Sequence, residues 1–163
     1  MTDNFELLTE LPFDLPGKIY RSPMPFGPYD RQNQVWQLYQ EKNVCYVIIL
    51  VEKQEYLVHA HRDLPKFYHS EGLAVLWCPI SDFQVPENDD DFAAAIEDVQ
   101  TQAQAGVNVA VHCLAGIGRT SIFLACMAKR QFKLNGQEAI NWVRQFIPDA
   151  LENLDQEQFV KDF

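Results

Sequence analysis

The sequence predicts an α/β domain with a central, mostly parallel sheet of four to five strands flanked by helices. Strand-like segments alternate with helix-like segments along the chain, and this order favours parallel pairing because parallel neighbours need a crossover connection. The run 44–51 is almost entirely apolar, as in a strand covered on both faces. No internal repeat divides the 163 residues. We therefore expect a single domain spanning 1–163, in which 1–16 form an extended lead-in.

Two strands separated by a helix are predicted in the first third of the chain. Residues 17–22 alternate between polar and apolar side chains, which indicates a strand, and a turn rich in proline and glycine ends it. Residues 30–43 carry Val35 and Tyr39 at helical spacing and predict a helix. The buried strand 44–51 follows directly.

The middle of the chain repeats this alternation. Residues 54–71 predict a helix in two pieces, because Pro65 interrupts the pattern. Residues 73–80 are the third predicted strand, and a loop joins them to a helix over 87–105. A fourth strand is expected at 107–112, because its residues are mostly apolar and β-branched.

Three helices are predicted in the last third. The first runs from about residue 118 to residue 132, before an Asn-Gly pair that breaks helices. The second spans 137–146 and ends before Pro148, and the third spans 155–163. Right-handed crossovers would place the helices on both faces of the sheet, with ligands beyond the carboxyl ends of the strands.

Charge and hydropathy exclude several classes of partner. The formal net charge is −10 and no basic patch is visible, which argues against binding to nucleic acid or to an anionic membrane surface. The first residues lack the pattern of a signal peptide, and no apolar stretch is long enough to span a bilayer. We therefore expect a cytoplasmic protein.

The cysteines and histidines show no metal-ligand spacing. None of the four cysteines forms a Cys-x-x-Cys pair, and three lie in apolar strand or helix patterns typical of buried thiols: Cys45, Cys78 and Cys126. Unpaired thiols agree with a reducing compartment. His59, His61 and His69 lie near Asp63, but their spacing does not define a ligand set, so we predict no metal site.

The stretch 107–130 combines a strand, a glycine-containing loop and a helix. Backbone N–H groups and the helix dipole at such a junction favour an anion. Cys113 begins the loop and Arg119 ends it, with five residues between them. A cysteine in that field is expected to be a thiolate nucleophile, and an arginine fork fits two oxygens of a phosphate. Together they predict attack on phosphorus.

A longer motif surrounds these two residues. It reads His112-Cys113-x-x-Gly116-x-Gly118-Arg119-Thr120-Ser121. This motif resembles the signature of cysteine-dependent protein tyrosine and dual-specificity phosphatases, and it matches every fixed position. From Gly17 onward, nearly the whole chain is similar to compact dual-specificity phosphatases. One departure is that Phe146 and Ile147 precede Pro148, where many relatives carry an arginine that could support the loop.

The resemblance implies a role for each residue of the motif. Cys113 would form a cysteinyl-phosphate, and His112 would hold the loop and help to keep the thiol ionised. Thr120 would donate a hydrogen bond to the thiolate, although it could instead cap the helix that follows. Arg119 and the loop amides would hold the equatorial phosphoryl oxygens, and the phosphate-binding residues would be Cys113, Leu114, Ala115, Gly116, Ile117, Gly118 and Arg119.

The leaving oxygen needs a proton donor on a loop beside the phosphate. Asp82 follows a predicted strand that ends at the same edge of the sheet as Cys113, and its Pro-Ile-Ser-Asp context is similar to the family's general-acid loop. Asp82 could instead only cap a turn. The alternative acids are Asp89, Asp90 and Asp91, which begin a predicted helix.

Three functions remain open from the sequence. The resemblance favours an enzyme acting on phosphoproteins, with phosphotyrosine preferred and phosphoserine or phosphothreonine also accepted, without a cofactor and inhibited by phosphate-like oxyanions. A phosphoinositide or small-molecule phosphatase is the alternative, but Leu114, Ala115 and Ile117 stand where lipid phosphatases of the superfamily tend to have lysines. A non-catalytic phosphate-binding module would normally lack the cysteine or the arginine.

Overall fold

The computed structural model describes residues 6–163, and within them a five-stranded sheet is flanked by helices. The strands are β1 (Thr9–Leu11), β2 (Ile19–Ser22), β3 (Val44–Ile49), β4 (Ala74–Trp77) and β5 (Asn108–His112). The helices are α1 (Val35–Glu41), α2 (Lys53–His59), α3 (Leu64–Ser70), α4 (Asp89–Gln104), α5 (Gly118–Phe132), α6 (Gly136–Arg144) and α7 (Leu154–Asp162).

The sheet has the order β1-β2-β5-β3-β4. Strands β2, β5, β3 and β4 are parallel, and only β1 is antiparallel to its neighbour β2. This confirms the predicted mostly parallel α/β fold. Strand β1 lies in the segment predicted as an extended lead-in, and it is a strand only because Glu10 pairs with Tyr20 of β2.

The start of the first helix differs from the prediction. Helix α1 begins at Val35 and not at residue 30, because the buried Asp30 holds a turn. Its Oδ2 accepts a hydrogen bond from the Phe26 amide at 2.9 Å, and its Oδ1 accepts one from the Gln34 amide at 2.8 Å. An aspartate that satisfies these amides favours a turn over a helix.

The predicted helix is in two pieces broken near Pro65, as expected, but the proline is not the residue at which the first piece ends. The break falls at residues 60–63, and Pro65 lies in the first turn of α3. Proline is tolerated there because the first amides of a helix have no intrahelical partner. Asp63 caps the helix by accepting a hydrogen bond from the Lys66 amide at 3.1 Å.

The core lies between the central strands and helix α5. Every residue of α5 from Gly118 to Ala128 is buried, so this helix is enclosed by protein along most of its length. The prediction of three buried thiols is wrong for Cys45, which is exposed although its neighbours in β3 are buried. Cys78 is partly buried and Cys126 is buried.

The parallel strands end at one edge of the sheet, and their loops converge there. Strand β5 leads into the segment Cys113–Arg119, which we call the phosphate loop. Strand β4 leads into residues 81–86, which we call the acid loop, and β3 leads to α2. Residues far apart in the sequence are thereby placed around a single cavity.

Candidate active site

The phosphate loop is tightly curled against strand β2. Gly116 has φ +76°, a left-handed conformation that favours glycine, and a β-carbon there would overlap the backbone of Ser22. The Gly116 amide donates to Cys113 Sγ at 3.3 Å. The sulfur therefore faces the amide-lined interior of the loop, where an anion would also be held.

Arg119 is fixed at the end of the loop by a partner that the sequence did not reveal. Its two terminal nitrogens donate to the two Glu55 carboxylate oxygens at 2.8 and 2.9 Å, and Nη1 also donates to the Ile80 carbonyl at 3.0 Å. Only 2% of the Arg119 side chain is exposed. Paired in this way, the guanidinium is held in one orientation beside the loop.

Glu55 also has a local role at the start of α2, and this role conceals its pairing with Arg119 when only the sequence is considered. It lies in the first turn of α2, where its carboxylate also accepts a hydrogen bond from the Glu52 amide at 2.8 Å. A glutamate at this position is typical of a capping box. The local pattern therefore explains the residue without any reference to the arginine 64 residues away.

Asp82 lies at the mouth of the site, on the acid loop. Its Oδ1 is 3.2 Å from Arg119 Nη2 and accepts a hydrogen bond from the Phe83 amide at 3.0 Å. The alternative acids lie in the first turn of α4, which Asn88 caps. Asp82 lines the cavity that contains Cys113, and none of Asp89, Asp90 and Asp91 does.

The cavity above the phosphate loop is small, at about 60 Å³. It is lined by residues of the phosphate loop and of the acid loop, together with Tyr29 and Glu152. The lining residues are Tyr29, Asp82, Phe83, Cys113, Leu114, Ala115, Gly118, Arg119 and Glu152. The sequence analysis did not identify Tyr29 and Glu152 as residues of this site. Nothing in their local context distinguishes them, because only tertiary folding brings them to this edge.

The acid loop is held by the start of helix α7. Asn153 Nδ2 donates to the Phe83 carbonyl at 2.9 Å, and the buried Gln156 donates through Nε2 to the Gln84 carbonyl at 3.3 Å. Because Asn153 also caps α7 through the Gln156 amide, the position of the acid loop depends on the beginning of this helix.

Support for the phosphate loop comes from Arg21 in β2. Its Nε donates to the Gly116 carbonyl at 3.1 Å and its Nη2 to the Ala115 carbonyl at 3.4 Å. Burial lowers the pKa of Arg21 to about 10, so the guanidinium stays charged at neutral pH. The loop is thus supported from β2, although the arginine that many relatives carry before Pro148 is not present in this sequence.

His112 is buried between Tyr68 and the backbone of the loop. Its Nδ1 is 3.0 Å from the Cys113 carbonyl oxygen, which can only accept, so Nδ1 carries the proton. Its Nε2 then accepts from the Tyr68 hydroxyl at 3.1 Å. Burial, with a smaller effect of the Arg119 charge, lowers the pKa of His112 to about 4. His112 therefore holds the loop as a neutral group and adds no positive charge beside the thiol.

This neutral histidine predicts a pH dependence of stability. The pKa falls from 6.5 to about 4 on folding, so the unfolded chain binds the proton more tightly. Stability is then lost as the pH falls from about 6.5 towards 4, by on the order of 2 kcal/mol from this group. Denaturant unfolding across this range should show a smaller loss in His112→Gln, with His59→Gln at an exposed position as the control. Equal losses in wild type and His112→Gln would contradict this assignment.

Thr120 differs from both expectations raised by the sequence. It lies inside α5, where the N-cap position is Ile117, so it does not cap the helix. Its hydroxyl oxygen is buried and has no hydrogen-bond partner among residues 6–163. The expected hydrogen bond from the Thr120 hydroxyl to Cys113 Sγ is not formed in this structure. A buried hydroxyl without a partner costs free energy, so Thr120 remains a candidate donor to the thiolate.

Among the described residues, no group of three or more candidate ligands is placed to hold a metal ion. His59, His61 and His69, considered above, are all exposed. No helix in residues 6–163 is long and apolar enough to cross a membrane.

Comparison with known sequences agrees with this geometry. Residues 30–162 match the family model of the dual specificity phosphatase catalytic domain. The dual specificity protein phosphatase CDC14C of Homo sapiens is 44% identical over 36 residues, which are 22% of this chain and 8% of that protein. The uncharacterized protein MJECL20 of Methanocaldococcus jannaschii is 32% identical over 93 residues, or 56% of this chain and 60% of that one. The match thus spans less than a tenth of the length of the CDC14C relative.

Solved structures share the fold. A kinase associated phosphatase whose catalytic-site cysteine is replaced by serine superposes with a TM-score of 0.85 at 16% identity, covering 96% of this chain and 92% of that one. PTPMT1 in complex with PI(5)P superposes with a TM-score of 0.73 at 18% identity, covering 88% of each chain. At these identities the likeness establishes the fold alone. With the family match across most of its length, the chain belongs to the dual specificity phosphatase catalytic domain family.

Proposed function

We propose that this protein hydrolyses phosphomonoesters of phosphoproteins through a cysteinyl-phosphate intermediate. The observation that carries the proposal is the position of Cys113 Sγ, which faces the loop interior beside the Gly116 amide and shares one cavity with the Arg119 fork. A nucleophile, amide donors and a fixed cation thus surround a space open to solvent. This is the arrangement that transfer of a phosphoryl group requires.

In the first half-reaction, Cys113 Sγ attacks phosphorus and the bond to the leaving oxygen breaks. Arg119 and the loop amides hold the equatorial oxygens, and Asp82 gives its proton to the leaving oxygen. Arriving phosphate competes with Asp82 for Arg119, whose Nη2 lies 3.2 Å from Asp82 Oδ1 in this structure. Thr120 would stabilise the thiolate when it leaves again.

Two aromatic side chains support phosphotyrosine as the preferred substrate. Tyr29 is 50% exposed and Phe83 is 58% exposed, and both line the cavity mouth. They can pack against the ring of a phosphotyrosine whose phosphate reaches Arg119. Phosphoserine and phosphothreonine use the same phosphate contacts without the ring contact, so we expect them to be accepted less well.

Charge disfavours the alternative of a phosphoinositide. The cavity mouth carries Asp82 and Glu152 and has no lysine, and the net charge is −10. Phosphotyrosine brings about two negative charges, whereas a multiply phosphorylated headgroup brings more into the same field. The specific observation in favour of a lipid is the similar fold of PTPMT1, which was solved with PI(5)P.

The substrate class is tested by comparing kcat/KM on phosphotyrosine peptides, phosphoserine and phosphothreonine peptides, and a trisphosphorylated inositol lipid at equal ionic strength. We expect the best phosphotyrosine peptide to exceed the lipid at least tenfold. A lipid value tenfold above the best peptide would establish the alternative. Hydrolysis of p-nitrophenyl phosphate, expected here, separates either enzyme from a non-catalytic phosphate-binding module.

A further inference from the structure

The sheet has two edges, and only one of them carries charged side chains. Strand β1 forms one edge and contains Glu10, whose carboxylate pairs with Lys18 at 3.3 Å. Strand β4 forms the other edge and consists only of Ala, Val, Leu and Trp. Charged residues at an edge discourage pairing with a further strand, and β4 lacks this protection. No strand within residues 6–163 covers its outer side.

The outer side of β4 has backbone groups that are free to pair. The amides of a strand point alternately to its two sides. Because the Cys78 amide donates to the Ile49 carbonyl of β3 at 3.0 Å, the N–H and C=O groups of Val75 and Trp77 point away from β3. Trp77 is 47% exposed, so solvent reaches this side. An extended peptide can therefore pair with β4 as a sixth strand.

A groove lies beside this edge, between the end of β4 and the start of α4. Its volume is about 480 Å³, within the range of sites that bind ligands. Apolar side chains such as Leu76 and Phe92 line it, Glu87 and Asp91 add two carboxylates, and no basic residue lines it. Burial, followed by the charge of Asp91, raises the pKa of the Cys78 thiol in this lining to about 11, so the thiol is uncharged at neutral pH.

The charge of the groove favours a basic occupant. Glu87 and Asp91 are both exposed, so they attract a lysine or arginine without being buried unpaired. A second copy of this chain would bring a net charge of −10 and the same acidic groove, and repulsion opposes the pairing of two such edges. A segment that combines apolar residues with lysine or arginine matches both the lining and the charge.

We propose that β4 and this groove form a docking site for an extended, basic segment of a partner protein. The segment pairs with the backbone of β4, and alternate side chains enter the groove, with the basic ones at Glu87 and Asp91. Pro86 of the acid loop lines the groove, whereas Asp82 of the same loop lines the cavity above the phosphate loop. A docked partner thus lies beside that cavity without filling it, and its binding does not depend on the proposed function.

Fluorescence anisotropy with labelled peptides tests charge and pairing separately. The probe is the unphosphorylated heptapeptide Lys-Thr-Val-Thr-Leu-Thr-Lys, whose alternation places both lysines, Val and Leu on one face. We expect saturable binding, at least tenfold tighter than that of the same peptide with Glu in place of Lys. Methylation of the three threonine nitrogens or, separately, of the valine and leucine nitrogens should abolish binding for one of the two sets only, because alternate amides face β4.

Two variants test the protein side of the contact. Val75→Pro removes an outward N–H, which an edge strand tolerates, and should weaken binding of the lysine peptide at least tenfold. Val75→Ala keeps this amide and should bind within about threefold of wild type. Glu87→Lys should weaken the lysine peptide about fivefold and strengthen the glutamate peptide. Glu41→Lys, the same charge change at an exposed position of α1, is the matched control and should alter neither.

Unfolding temperatures identify the variants that fold, and the methylated peptides decide the pairing if Val75→Pro does not fold. Absence of saturable binding, equal affinity for the lysine and glutamate peptides, or equal effects of the two methylation sets would overturn the proposal. So would displacement of the peptide by vanadate, which would place it in the cavity above the phosphate loop. Dimerisation of wild type in light scattering that Val75→Pro abolishes would assign this edge to a second copy of the chain instead.

Discussion

Cys113→Ser is expected to abolish hydrolysis of every phosphomonoester while leaving oxyanion binding in place. A serine hydroxyl at this position stays protonated near neutral pH and is a poor nucleophile without a base to activate it. The Gly116 amide, the rest of the phosphate loop and the Arg119–Glu55 pair are unchanged, so an anion is still held. The substitution removes the reacting atom and keeps its surroundings.

Steady-state release of p-nitrophenolate measures the loss, and calorimetric titration with vanadate or inorganic phosphate measures the retained binding. Cys45→Ser is the matched control, because Cys45 is an exposed thiol on β3 and should leave activity unchanged. Wild type should be inhibited by vanadate and unaffected by EDTA. Measurable turnover in Cys113→Ser, or loss of wild-type activity with EDTA, would contradict the mechanism.

Asp82→Asn is expected to lower kcat by roughly 10²–10³, as for other losses of general acid catalysis. The amide has nearly the same shape and can still accept the hydrogen bond from the Phe83 amide, so the acid loop should stay in place. It has no proton to give to the leaving oxygen. The loss should be larger for tyrosine phosphate than for p-nitrophenyl phosphate, because p-nitrophenolate leaves without help.

Rates measured against leaving groups of different basicity test this assignment. Asp90→Asn is the matched control, since Asp90 is an exposed acid in the first turn of α4 and does not line the cavity. A near-normal Asp82→Asn, accompanied by the expected losses in a variant of Asp89, Asp90 or Asp91, would move the acid to the start of that helix.

The fold and the loop that carries the candidate nucleophile could be predicted from local patterns. The apolar run of β3 and the alternation of strands and helices predicted a mostly parallel sheet, which is confirmed. Helix α5 runs from Gly118 to Phe132 as predicted, because the loop glycine and the Asn-Gly pair mark its two ends. The motif from His112 to Ser121 is contiguous, so its chemistry is visible without knowledge of the fold.

The predictions from the sequence were wrong where tertiary contacts, and not the neighbouring residues, decide the structure. Strand β1 has only three residues and pairs with β2, so its short sequence carries little signal. Cys45 was predicted to be buried because its neighbours are apolar, yet its position on the strand exposes it. Threonine is a common helix-capping residue, but Thr120 lies inside α5, which begins two residues earlier at Gly118.

The sequence by itself determined the fold class and identified Cys113, Arg119 and Asp82 as the candidate nucleophile, phosphate-binding residue and acid, because each lies in a contiguous pattern of side-chain chemistry. Only the tertiary structure decided what holds and surrounds them: Glu55 on Arg119, Arg21 beneath the loop, and Glu152 above it. These partners are brought together by strand crossovers that end at one edge of the sheet. Their charges and hydrogen bonds acquire their effect only when burial and proximity remove the solvent between them.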